Sequence, residues 1–220
     1  MEAIKMSSGL AEVISSLKAV SDEEWDAYIL RLDMFYRHYT KEMCRNIISR
    51  AKEAGRKKAY EASREGEEID HLVKRNSLKV SVVEDKEFIM PDSINFAEYH
   101  DNNIRISRRL LRSLDINKAV ISKELGDFEP SHVLFYHELY HYYEDVEENF
   151  ENAGISFKIK PVPFITKTIS PDSAGEIAAY EFAKQMQKIQ FHPYILGIIG
   201  LYEYNRDAAE KIMKDIMMRS

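Results

Sequence analysis

From Met1 to Asn76 the chain has no proline and only three glycines, Gly9, Gly55 and Gly66. A stretch this long without helix breakers, with apolar residues recurring at helical spacing, commits the region to α-helices. Ser21-Asp22-Glu23-Glu24 has the form of a capping box, so a helix starts there and buries Trp25, Tyr28, Ile29 and Leu32 on one face. Thr40 caps a further helix in which Met43, Ile47 and Ile48 keep the same spacing. The run Lys52 to Glu68 interleaves acids with bases and reads as a solvated helix face, not as a basic arm for nucleic acid.

After Asn76 the periodicity changes from helical to alternating. Leu78 to Val83 and Asn103 to Ser107 alternate as half-buried strands do, with Phe88-Ile89-Met90 and Ile94 to Ala97 between them and Asp101-Asn102-Asn103 as turn material. A small antiparallel sheet of three or four strands follows. Ser107 to Leu114 and Asn117 to Leu125 read as short helices. The next helix is capped by Asp127 or Ser131, takes Pro130 in its first turn, carries Val133 to Asp145 and extends toward Phe150. Gly154 to Ser170 is a strand or an ordered loop, and Asp172 or Ser173 caps a helix running to about Gln190. Helices from Pro193 and Arg206 complete the chain. The expected fold class is α+β: mostly helical, with a small antiparallel sheet beside the helix that carries the motif described below. Residues 1–76 form an N-terminal helical region and 77–220 the remaining domain, in one continuous globular unit.

Composition narrows the function classes. With 45% apolar and 31% charged residues, 220 residues suffice for a full hydrophobic core. A formal charge of −6 disfavours sequence-independent binding to nucleic acid, which relies on an excess of Lys and Arg. Cys44 is the only cysteine, so an intramolecular disulfide and a cysteine-based zinc site are both excluded. The start of the chain lacks the pattern of a signal peptide, and the longest apolar run, Tyr194 to Tyr202, is too short to span a bilayer. These features point to a cytoplasmic protein with no membrane association.

The helix after Pro130 contains His137-Glu138-Leu139-Tyr140-His141. Residues four apart on a helix differ by about 40 degrees around its axis, so both imidazoles turn toward one ion. Glu138 follows the first histidine and stays near the ion without sharing its face, where it holds a water and takes its proton. The pattern predicts a catalytic Zn²⁺ site, which needs a third protein ligand from elsewhere. Glu147, His192, Glu176 and Glu181 are the candidates, and Glu176 is the better placed, near the start of a helix whose Ala178, Ala179 and Ala183 permit close approach. Tyr136, Tyr142, Tyr143, Tyr180 and His192 are candidates for stabilising an oxyanion. Glu144 and Glu148 fall near the histidine face and are either acceptors for the imidazole N–H groups or the solvated acidic end of the motif helix, the second being the favoured reading. Arg105, Arg108, Arg109 and Arg112 read as a surface with ordinary ion pairs.

The segment Glu176-Ile177-Ala178-Ala179-Tyr180-Glu181-Phe182-Ala183, following the HExxH motif, resembles the second motif of the ImmA/IrrE group of zinc metallopeptidases, Glu-x-x-Ala-Asn-x-Phe-Ala. The resemblance extends from about Val80 to Met186, with Tyr180 where the family usually has Asn and Tyr140 where it often has Gly. It implies a zincin-like fold, His137, His141 and Glu176 as zinc ligands, and Glu138 as the catalytic base. It also implies a peptidase acting on an intracellular protein, such as a transcriptional regulator. The N-terminal helices would then be available to a regulatory protein partner. The competing expectation is a non-catalytic module that zinc stabilises for protein interaction.

Overall fold

The computed structural model of this chain describes residues 2–66, 68–84, 96–147, 155–162 and 164–217. The N-terminal region is helical as its composition dictates: α1 (Glu2–Lys18), α2 (Asp22–Arg31), a 3-10 turn (Tyr36–His38), α3 (Lys41–Glu65) and α4 (Ile69–Arg75). Ser21 and Glu24 exchange both bonds of the capping box at the start of α2, and the Thr40 side chain accepts from the Met43 N–H at the start of α3. Trp25, Tyr28 and Ile29 are buried as expected. Leu32 is not: it follows the last helical residue and stays 61% exposed.

Three strands come next, β1 (Lys79–Val83), β2 (Ala97–His100) and β3 (Asn103–Ser107), in the order β1-β3-β2. β2 and β3 form an antiparallel hairpin whose two turn residues, Asp101 and Asn102, both adopt positive φ, 48° and 59°. That pair of left-handed residues matches the twist of the flanking strands. β1 pairs with β3 in parallel, Lys79 opposite Asn103, so the sheet is mixed where an all-antiparallel one was expected. β1 takes the far side of β3, so that among the described residues one edge of β2 has no strand partner. The expected strands at Phe88–Met90 and at Ile94–Asn95 lie outside the described residues.

Helices α5 (Arg108–Ile116) and α6 (Lys118–Leu125) lead to α7 (Pro130–Val146), the motif helix. Pro130 occupies its first turn, but the cap position is Glu129, with no side-chain bond from Asp127 or Ser131. α7 ends at Val146, where Glu147 turns to extended backbone, short of the expected Phe150. The proline-containing segment is an antiparallel hairpin of β4 (Phe157–Val162) and β5 (Ile165–Ile169). α8 (Asp172–Gln187) follows and is stopped by Lys188 in the left-handed conformation, φ 54°. α9 (Tyr194–Tyr204) and α10 (Arg206–Met217) close the fold.

One hydrophobic core runs through the molecule, from Leu10, Ile14 and Leu17 of α1 to Ile216 of α10. α8 lies at its centre, fully buried at Ile177, Ala178, Ala179, Phe182 and Ala183, with α7 on one flank and α3 on another. The approach to α3 is close enough that a Cβ on Gly55 would stand 2.4 Å from the Ala178 carbonyl oxygen. The N-terminal helices therefore share the core with the motif helix. α3 has the solvated face that its charge suggests, at Glu53, Arg56, Lys57, Glu61 and Arg64, but its other face is buried. Ala51, Ala54, Gly55, Ala59 and Ala62 form a buried small-residue face, and Lys52 is drawn into ion pairs with Asp26 at 3.0 Å and Glu181 at 3.4 Å.

Candidate metal centre

α7 and α8 lie side by side, and each contributes to one cluster. His137 and His141, one turn apart on α7, bring their Nε2 atoms within 3.3 Å of each other. Glu176, in the second turn of α8, faces both: its Oε2 is 3.4 Å from His137 Nε2 and its Oε1 is 3.4 Å from His141 Nε2. An ion with tetrahedral bonds of about 2.0–2.1 Å separates its ligand atoms by about 3.3–3.4 Å. The observed spacings match that requirement. Two imidazoles and a carboxylate are a donor set for a divalent first-row metal, and among the described residues no other group of His, Cys, Asp or Glu converges in this way.

The surroundings favour a cation at that point. Burial opposes ionisation of Glu176, yet hydrogen bonds from His137 and His141 hold its carboxyl well below the usual carboxylate range. Burial likewise opposes protonation of His141, but Glu144 and Glu176 together push it well above the usual histidine range. Glu144 Oε2 lies 2.7 Å from His141 Nδ1, which fixes the ring and turns Nε2 toward the cluster. The expectation that Glu144 is merely solvated is thus corrected. Gly175 makes the arrangement possible, since a Cβ there would stand 2.9 Å from a Glu144 oxygen. The matching nitrogen on His137, Nδ1, is buried and has no hydrogen-bond partner among the described residues. Glu148 lies outside the described residues.

Glu138 is buried, 5% exposed, and burial raises its pKa against the lowering influence of the two histidines and of a backbone hydrogen bond from Tyr99 on β2. It shares with His137, His141 and Glu176 an open cleft of about 640 Å³. Tyr180, one turn beyond Glu176 on α8, also lines this cleft and packs on the His137 ring at 4.3 Å between centroids. Burial keeps its phenol protonated well above the usual tyrosine range. Tyr99 and Tyr194 line the cleft too. No local signal in the sequence singles them out, because the positions of β2 and α9 place them there.

The other candidates are engaged elsewhere. Glu181 points to the opposite side of α8 and pairs with Lys52 and Arg56, each at 3.4 Å. Glu147 caps the far end of α7 and pairs with Lys58. His192 is buried behind Tyr180, stacks on Trp25 at 5.5 Å, and accepts at Nδ1 from the Tyr194 N–H, which leaves its Nε2 facing Asp26. Tyr136 and Tyr143 pack on Phe182, and Tyr142 packs on Tyr99, away from the cluster. Three of the four arginines in the run are engaged: Arg105 pairs with Glu98, Arg108 with Glu84, and Arg109 lies over the Tyr204 ring.

Compared with protein-family models, with curated proteins and with solved structures, the chain matches none. The reading of this centre therefore rests on its own geometry. Among the described residues no helix is long and apolar enough to cross a membrane.

Proposed function

We propose that the chain is a zinc-dependent metallopeptidase, in which His137, His141 and Glu176 hold the ion and Glu138 is the general base. The observation that carries this reading is the convergence of three ligand atoms from two helices beside a buried carboxylate in an open cleft. When bound, zinc supplies Lewis acidity that acidifies a water and polarises a carbonyl. Glu138 manages the proton. Its raised pKa moves it toward the range where a carboxyl both takes a proton from the attacking water and returns it to the leaving amine. The Tyr99 N–H holds the carboxylate in place from β2. Tyr180, still protonated, donates to the carbonyl oxygen as that atom gains charge. Phe96 to Tyr99 line the cleft along the free side of β2, so an extended peptide adds there as a further strand.

The likeness of Glu176 to Ala183 to the ImmA/IrrE motif supports a protein substrate in the cytoplasm, with a transcriptional regulator as the leading class. Replacing Glu138 by Gln tests the chemistry. One zinc per chain is expected in both forms by elemental analysis, with peptide hydrolysis at least roughly 100-fold slower in E138Q. Equal turnover in the two forms would remove Glu138 from the reaction. Zinc bound without turnover in either form would favour the non-catalytic alternative, and undiminished zinc in E176A would dismantle the centre itself.

A further inference from the structure

The cleft has an apolar side that the proposed chemistry leaves unused. Ile29 of α2, and Leu32 and Met34 from the turn that follows it, line the cleft with Phe96, Val133 and Leu134. Leu32 is 61% and Met34 74% exposed. Two large apolar side chains thus stand in water at the mouth of the groove that holds the metal centre, where exposure forgoes the free energy of burial.

The turn that carries them is pinned. Asp33, between the two, accepts at Oδ1 from the Phe35 N–H at 2.8 Å and from the Tyr39 hydroxyl at 2.7 Å. Its Oδ2 accepts from the Ser173 hydroxyl at 3.1 Å and the Ser173 N–H at 3.4 Å, at the start of α8. Lys167 of β5 lies over the Phe35 ring at 5.3 Å. The turn is held by its own residues, by α8 and by the hairpin, so binding against it requires little ordering. Asp33, its carboxylate engaged in four hydrogen bonds, does not offer a free charge to a ligand. The free edge of β2 in the same cleft would fix an extended chain and direct alternate side chains outward from it.

We infer that Leu32 and Met34 form a subsite for a bulky apolar side chain of the peptide substrate, so that cleavage occurs next to Leu, Ile, Met or Phe. This rests on the peptidase reading above, and it assigns the N-terminal region a direct part in substrate choice. The experiment digests a proteome-derived peptide library with the zinc-loaded full chain and reads the cut sites by mass spectrometry. Apolar residues are expected to be enriched at one position within about two residues of the cut. The enrichment should vanish in the L32S/M34S double variant, whose exposed positions leave the core and the zinc content intact. A labelled peptide from the best site, titrated into zinc-loaded E138Q, should bind roughly tenfold or more weakly once L32S/M34S is added. Cleavage without apolar preference, or a preference that survives L32S/M34S, would overturn the subsite and leave the peptidase reading standing. Zinc-loaded chain that cuts no peptide would overturn both.

Discussion

Glu144 and His192 are both polar neighbours of the centre, and environment gives them opposite roles. Glu144 reaches His141 Nδ1 because Gly175 on the facing helix has no side chain; a helical wheel of α7 puts Glu144 near the histidine face but does not show the room that Gly175 leaves for it. The His137/His141 pair was legible because a spacing of four is a local property of one helix. The third candidate ligand, Glu176, was legible less directly, through its place near the start of an alanine-rich helix and the likeness of its segment to a known motif, since the spacing between α7 and α8 is set by packing. Tyr180 carries a prediction at this scale. Its removal as Y180F should leave zinc stoichiometry unchanged and lower kcat by roughly 100-fold, read in steady-state peptide assays. His192 carries another. Burial among Trp25, Tyr180 and the Asp26, Asp22 and Lys52 charges lowers its pKa below 6.5, with burial outweighing the attraction of the two aspartates. The unfolded chain therefore binds a proton more readily than the folded one. This residue's contribution is fully present above about pH 6.5 and is lost as pH falls through that value. In denaturant titrations, H192Q should lose less stability than the native chain between about pH 7.5 and pH 5.

At the scale of elements, the contact between α3 and α8 shows why charge alone misjudges a helix. Between its lysines and arginines α3 sets a row of Ala and Gly, and that row, not the charge, decides which face is buried. Gly55 sits where the two backbones come closest. In an isolated helix, Gly to Ala stabilises by about 1 kcal/mol. Here the added methyl would meet the Ala178 carbonyl at 2.4 Å, so Gly55→Ala is expected to destabilise by about 1–3 kcal/mol in chemical denaturation. A stabilised variant would mean that the helices are not packed this tightly. The direction of β1 was hidden for a related reason. Alternation marks a strand and its faces, but which neighbour it pairs with depends on the connection between β1 and β2.

For the whole molecule, the apolar face of the N-terminal region and that of the half carrying His137, His141 and Glu176 are one core. Residues 1–76 were legible as helices, yet their docking was not, because an amphipathic face states that it needs a partner without naming one. A chain truncated to residues 77–220 would expose the buried sides of α8 and α9 that α1, α2 and α3 cover. It is expected to lack cooperative thermal unfolding and to aggregate, as read by circular dichroism and light scattering. A monomeric, zinc-binding fragment with a sharp transition would show that the N-terminal helices are dispensable for folding.

The long reach of the α3–α8 contact also bears on how the protein is made. Arg56 and Glu181 are 125 residues apart in sequence, so α3 leaves the ribosome well before the helix it must pack against has been synthesised. Until then its small-residue face has no native partner, and the contact comes late in a chain of high sequence separation. Assembly of the candidate metal centre, which needs Glu176 of α8 beside His137 and His141 of α7, therefore waits until α8 has been synthesised and has docked.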